Sequence, residues 1–235
     1  MLVYIAEFIG TMFLVLLGDG VCATVSLNKS GFKGAGSTHI LMGWGTAVLL
    51  PAYAFGATSG AHFNPAVTIG AAVRGAFDWA LVPGYIIAQM LGGFCGAVLV
   101  YVLYKEHFDA TEDLATKRGV FCTSASIKNQ VLNFLSEFVA TFCLVFFLAA
   151  IPGNAADSAV SWGLVYAVIV ACGASFGGLT GYAMNAARDT ATRIAYMVLP
   201  IKGEKDADWS YGWIPAVAPI CGGICASLLY MALFG

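Results

Sequence analysis

Charge is scarce in this chain. Its 235 residues include 11 Lys or Arg and 13 Asp or Glu, 10% of the total, where a soluble domain carries about 25%. The net charge of −2 offers no basic field for nucleic acid. Histidine is scarcer still, with three scattered copies, and the seven cysteines show no metal-ligand spacing. Cys22, Cys95, Cys143, Cys172, Cys221 and Cys225 lie in apolar runs and read as small core residues, while Cys122 sits in a polar stretch as a free thiol. No nucleophile–base pair is visible, so no enzyme, metal or cofactor is expected. The first 20 residues lack Lys and Arg. Without a basic leader region, residues 2–27 read as a retained first span.

Apolar sequence is abundant. Hydrophobic residues make up 60% of the chain, which excludes disorder and points to an integral membrane protein. A helix needs about 20 apolar residues to cross a bilayer. Six spans fit that length: about 2–27, 38–59, 80–104, 130–152, 158–177 and 212–234. Two uncharged stretches, 34–73 and 158–187, are too long for one span. Each reads as a full span, a glycine-rich break and a short half-helix. The breaks are placed at Gly56–Gly60 and Gly173–Gly181. Non-helical backbone at membrane depth survives only inside protein or beside a wet cavity, so a pathway is sought there.

The chain also repeats itself. Ala6-Glu7-Phe8 matches Ser136-Glu137-Phe138, and Gly92-Gly93 matches Gly222-Gly223, at a common offset of 130 residues. Each half then holds three spans and a half-helix. An odd number of spans inverts the second half, as in inverted-repeat transporters and channels. The expectation is one channel domain over 1–235, with inverted repeats at about 1–115 and 125–235. The charged segment 105–128 reads as a solvated linker. One set of loops carries Lys29, Lys33, Lys105, Lys117, Arg118, Lys128, Lys202 and Lys205, and the other carries Arg74. The positive-inside bias alone would put the amino terminus outside.

The half-helices begin at Asn64-Pro65-Ala66 and Asn185-Ala186-Ala187. Asn is a good helix cap and Pro fits the first turn. Two capped ends meeting at mid-membrane create a positive region. Their side-chain amides offer donors to a passing hydroxyl, and such a site repels cations.

These paired boxes, the Glu-Phe pair in each half and the six spans resemble the aquaporin family over the whole chain. Asp189 after Arg188 resembles the glycerol-facilitator branch. The resemblance implies an all-α membrane fold of six transmembrane helices plus two half-helices. It implies an aromatic/arginine selectivity filter at Trp44, Gly173, Tyr182 and Arg188. Gly173 stands where water-selective members typically have His, which implies a wider opening: Trp44 and Tyr182 form an apolar corner with Arg188 opposite. The carbonyls of Gly60, Ala61, His62, Gly181, Tyr182 and Ala183 would line the pore, with Glu7 and Glu137 buttressing the two loops. A homotetramer in the cell membrane is implied. The chain departs from the pattern at Ala186, at Thr190-Ala191-Thr192-Arg193 and at Tyr182, and Asp19 within span one has no place in it.

The resulting expectation is a passive channel for glycerol, water and other small neutral solutes. Hydrogen peroxide, dihydroxyacetone or undissociated lactic acid are alternative cargoes. An ion-coupled transporter would need a membrane carboxylate as its coupling site, and Asp19, Glu7 and Asp189 are the candidates. Each site residue also has a plainer reading. Arg188 could simply pair with Asp189, Gly173/Gly177/Gly181 could be a helix-packing stripe, and His62 could support its loop through a hydrogen bond.

Overall fold

The computed structural model describes residues 1–154 and 157–235. Among the described residues the chain is helical, with ten α-helices and a 3₁₀ turn at Trp79–Leu81. Six helices are long and apolar enough to cross a membrane: α1 (Leu2–Ser26), α2 (Ser37–Ser59), α4 (Val82–Leu103), α7 (Gln130–Asn154), α8 (Ser158–Thr180) and α10 (Trp209–Phe234). Two shorter ones, α3 (Pro65–Val73) and α9 (Ala186–Val198), are the half-helices. The six expected spans are all present, with ends shifted by up to three residues.

Packing is crosswise. Helix α1 lies on α4 and α2, α7 lies on α10 and α8, and α2 meets α8. Each half-helix packs on a span distant in sequence: α3 against α10, and α9 against α4. The half-helices are thereby held at the centre of the bundle.

The breaks start later than the glycine pattern suggests. Helix α2 runs through Gly56 to Ser59, and α8 runs through Gly173 to Thr180. Both end on a glycine in the left-handed region, Gly60 at φ 82° and Gly181 at φ 79°, a conformation that costs glycine little. The earlier glycines serve close packing instead. A Cβ on Gly56 would stand 2.7 Å from the Trp162 ring, and one on Gly173 would stand 2.6 Å from Leu41 and 2.9 Å from the Tyr182 ring. Glycine both breaks and packs helices, and composition alone does not separate the two roles.

The segment 105–128 is not simply a solvated linker. It folds into α5 (Lys105–Ala110) and α6 (Leu114–Phe121), and Phe108, Val120, Phe121 and Cys122 are buried. Asp113 caps α6. Hydrogen bonds from the Thr116 hydroxyl and from the Thr116 and Ala115 N–H groups hold its carboxyl below the usual range. The charged loops share one end of the bundle: Asn28 donates to the Ala110 carbonyl (2.9 Å), Lys117 donates to the Lys202 carbonyl (3.0 Å), and Lys202 pairs with Asp109 (3.3 Å). All seven cysteines are free. Cys122, read as a polar-stretch thiol, is buried, while Cys225, read as core, is exposed.

Two glycines set how closely the spans approach. A Cβ on Gly92 would lie 2.2 Å from the Phe8 carbonyl oxygen, and one on Gly222 would lie 2.3 Å from that of Phe138. Both neighbours are backbone, so the helices themselves must separate. Gly20, by contrast, has nothing within 4 Å of its Cβ position. Gly92→Ala and Gly222→Ala should each destabilise by about 1–3 kcal/mol through overpacking, whereas Gly20→Ala should be neutral or stabilising. Thermal unfolding in detergent followed by circular dichroism checks this; equal midpoints for all three would overturn it.

Candidate functional site

Between each span and its half-helix runs a short extended loop, residues 60–64 and 181–185. Four non-glycine residues there have positive φ: Ala61 at 52°, Phe63 at 48°, Tyr182 at 39° and Met184 at 49°. Each costs roughly 1–2 kcal/mol, so the surroundings must hold them. Buried carboxylates do so. Glu7 accepts from the Ser59 hydroxyl (2.7 Å), the His62 N–H (3.0 Å), the Phe63 N–H (2.7 Å) and Gln89 Nε2 (2.8 Å). Glu137 accepts from the Thr180 hydroxyl (2.6 Å) and from the Ala183 and Met184 N–H groups (3.0 Å each). The last carbonyls of the two broken spans also find donors, Tyr85 on Ser59 (2.9 Å) and Tyr211 on Thr180 (3.2 Å).

The two Asn side chains cap their helices. Asn64 Oδ1 accepts from the Ala66 N–H (2.9 Å), and Pro65 fills the first helical position. Asn185 Oδ1 accepts from two N–H groups, those of Ala187 and Arg188 (3.0 Å each). That second bond offsets the missing proline at Ala186. The amide ends cross between the loops: Asn64 Nδ2 donates to the Met184 carbonyl (2.7 Å) and Asn185 Nδ2 to the Phe63 carbonyl (2.8 Å). Each amide carries two N–H bonds, so one per Asn is already committed. His62 turns Nδ1 to the Thr68 hydroxyl (3.2 Å) and its ring lies against Phe77 and Tyr85.

A cavity of about 350 Å³ runs beside both loops. One wall is a stripe of helical faces: Trp44, Val48 and Ala52 at steps of four, then Leu144 and Leu148, then Val165 and Ile169. The other wall is formed by the loop residues from Gly60 to Asn64 and from Gly181 to Asn185. Arg188, Trp44 and Tyr182 border the cavity, as does Arg74 beyond Val67 on the first half-helix. The arrangement juxtaposes an apolar face with a polar one along a single passage.

The constriction differs in detail from its sequence reading. Arg188 does not stand opposite Trp44: its guanidinium carbon lies 4.5 Å from the Trp44 ring centroid, leaving no gap between them. The Trp44 ring fits over Gly18, where a Cβ would come within 2.3 Å, and donates to Cys22 Sγ at 3.4 Å. The space at Gly173 is not open. The Tyr182 ring occupies it, and it covers Gly177 as well. The Tyr182 hydroxyl is buried without a partner among the described residues.

Several residues that position this site escaped the sequence reading. Gly10 leaves room for the Phe63 ring, within 2.1 Å of a would-be Cβ. Phe121, read as linker, gives its carbonyl to Arg188 Nη1 (3.1 Å) and to the Thr192 hydroxyl (2.6 Å). Thr123 donates its N–H (2.9 Å) and hydroxyl (2.6 Å) to Asp189. The run Thr190–Arg193, an apparent defect in the second half-helix, is a clamp. Arg193 is fully buried, pairs with Asp189, and donates to the carbonyls of Thr123 and Ala207. Asp19 pairs with Arg188 at 3.1 Å. Its only sequence signal was its charge inside an apolar span.

Comparison with known proteins gives this geometry a setting. The family described as Major intrinsic protein matches residues 2–230. A Thermotoga maritima protein named "Probable glycerol uptake facilitator protein" is 47% identical, covering 100% of both chains. The Bacillus subtilis "Glycerol uptake facilitator protein" is also 47% identical, over 97% of this chain and 83% of its own. Among solved structures, the aquaglyceroporin from Plasmodium falciparum superposes with a TM-score of 0.85 at 30% identity, over 97% of this chain and 94% of that one. With six membrane-crossing helices, two capped half-helices and these matches along its whole length, the chain belongs to the major intrinsic protein family.

Proposed function

We propose that this protein is a passive membrane channel for glycerol and other small neutral solutes. The observation that carries the reading is the two-faced cavity: an apolar stripe facing two extended loops, with Arg188 beside Trp44 and Tyr182. A polyol has a carbon side and a hydroxyl side, so it matches both walls at once. The names of the relatives support the same solute class. We read the two halves, about 1–115 and 125–235, as inverted repeats of one channel domain, and the assembly as a homotetramer.

In this mechanism the solute gives up hydration water and takes protein hydrogen bonds in exchange. Carbonyls of Gly60, Ala61, His62, Gly181, Tyr182 and Ala183 accept, and the remaining N–H bonds of Asn64 and Asn185 donate, together with Arg188. The free Tyr182 hydroxyl adds one further donor. The positive half-helix ends disfavour cations at the midpoint. Glu7, Asp19 and Asp189 are all tied to fixed partners, which favours a channel over an ion-coupled pump.

Three variants test the reading in proteoliposomes, using stopped-flow light scattering under glycerol and sucrose gradients. Tyr182→Phe removes one neutral hydrogen bond, worth about 0.5–1.5 kcal/mol, and should slow glycerol by about 2- to 12-fold. Gly173→His displaces the Tyr182 ring and should slow glycerol by about tenfold or more while water still passes, since about 1.4 kcal/mol of added barrier is tenfold. Glu7→Gln places an amide against the Gln89 amide and weakens the loop's charge-assisted bonds. Both glycerol and water flux per folded channel should fall. Rapid water flow with no glycerol flow in the unmodified protein would overturn the glycerol assignment.

A further inference from the structure

Two features remain unused by this reading: Asp19 in the middle of α1, and Arg193 in the second half-helix. They meet through the constriction. Asp19 Oδ1 lies 3.1 Å from Arg188 Nη2, and Arg188 Nη1 lies 3.7 Å from Asp189 Oδ1. Asp189 Oδ2 pairs with Arg193 Nε, and Arg193 Nη2 also reaches Asp189 Oδ1 at 3.3 Å. Asp19, Asp189 and Arg193 are 0% exposed and Arg188 is 6% exposed. Two carboxylates and two guanidiniums thus form one buried chain of alternating sign.

The order of the chain explains why Asp19 is needed. Asp189 adjoins Arg188 in sequence and would be its natural counter-ion. Arg193 instead takes a contact on each Asp189 oxygen, and Thr123 adds two hydrogen bonds to Oδ1. Arg188 is left with a weak 3.7 Å contact to Asp189. A buried charge is costly unless it is paired, so a second carboxylate must supply the balance. Asp19 differs from the two loop-supporting carboxylates in this respect. Glu7 and Glu137 each accept several hydrogen bonds, whereas Asp19 Oδ2 is buried with no partner among the described residues. The hydrogen bond that Asp19 does make is to Arg188.

We propose that Asp19 is a specificity-determining residue of the constriction: it cancels the charge that Arg193 leaves unbalanced on Arg188 and holds the guanidinium flat on Trp44. An uncompensated guanidinium beside a narrow passage attracts small anions, and once released it also projects into the path. Paired with Asp19, it keeps its donors for a hydroxyl while the passage as a whole stays neutral. The proposal rests on reading Arg188 as part of the filter.

The test uses the full-length protein in liposomes as wild type, Asp19→Asn, Arg193→Gln and the double variant. Glycerol flux is read by light scattering, and nitrate flux by collapse of an imposed potassium diffusion potential. Asp19→Asn should slow glycerol about tenfold and raise nitrate flux about tenfold above empty liposomes, each equivalent to about 1.4 kcal/mol. Arg193→Gln alone should leave nitrate at background. In the double variant Asp189 is free to pair with Arg188, so both fluxes should return to within about threefold of wild type, or about 0.7 kcal/mol. Should Asp19→Asn not fold, the double variant should recover folded protein and exclude nitrate. Wild-type behaviour in Asp19→Asn overturns the proposal, as does a loss that Arg193→Gln fails to reverse. A wild type that passes no glycerol overturns the functional reading instead, and the nitrate measurements still decide the role of Asp19.

Discussion

At the middle of a bilayer there is no water to satisfy a bare N–H or C=O, so an interrupted helix must find every partner within the protein. This chain interrupts two. The constraint accounts for much of its buried polar inventory. Glu7 and Glu137 take the loop N–H groups, Tyr85 and Tyr211 cover the last span carbonyls, and Asn64 and Asn185 cap the half-helices. Each buried carboxylate is costly alone but is satisfied by donors that would themselves be unpaired. The two needs cancel, and the positive-φ residues are held in place as a by-product.

Charge follows a second rule at the constriction. Local hydrogen bonds suffice for Glu7 and Glu137, whose partners are dipoles. Arg188 and Arg193 need carboxylates, and these come from two directions, Asp189 within the half-helix and Asp19 across from α1. The segment after α6 joins the same knot through the Phe121 carbonyl and Thr123. A stretch of sequence that looks like a connector is therefore part of the site.

Hydropathy and spacing exposed the spans because they register over 20 residues at a time. The half-helices were legible for a local reason, since Asn with Pro or Ala marks a helix start whatever surrounds it. The onset of each break was not. Gly56 and Gly173 invite the reading of a turn, yet they lie inside helices because Trp162 and Tyr182 rings press on them. Those rings come from elements far along the chain, and no local pattern encodes their arrival. The same holds for Arg188: its motif was plain, but its placement against Trp44 and Asp19 depends on how α1 and α2 pack. Arg193 was legible only as an oddity, because its partners at Thr123 and Ala207 are 70 and 14 residues away.

The exchanged amide bonds have a consequence for how the protein is made. Asn64 donates to a carbonyl 120 residues later, and Asn185 returns the bond across 122. When the first half-helix leaves the ribosome, the carbonyl it needs does not yet exist. At about 5–20 residues per second, the wait lasts roughly 6–24 seconds. For that interval the first half must sit in or beside the membrane with its Asn64 amide unclaimed by Met184. The membrane-insertion machinery therefore has to tolerate a half-built passage. Completion is a single late event, in which the second half-helix arrives and both amides close together.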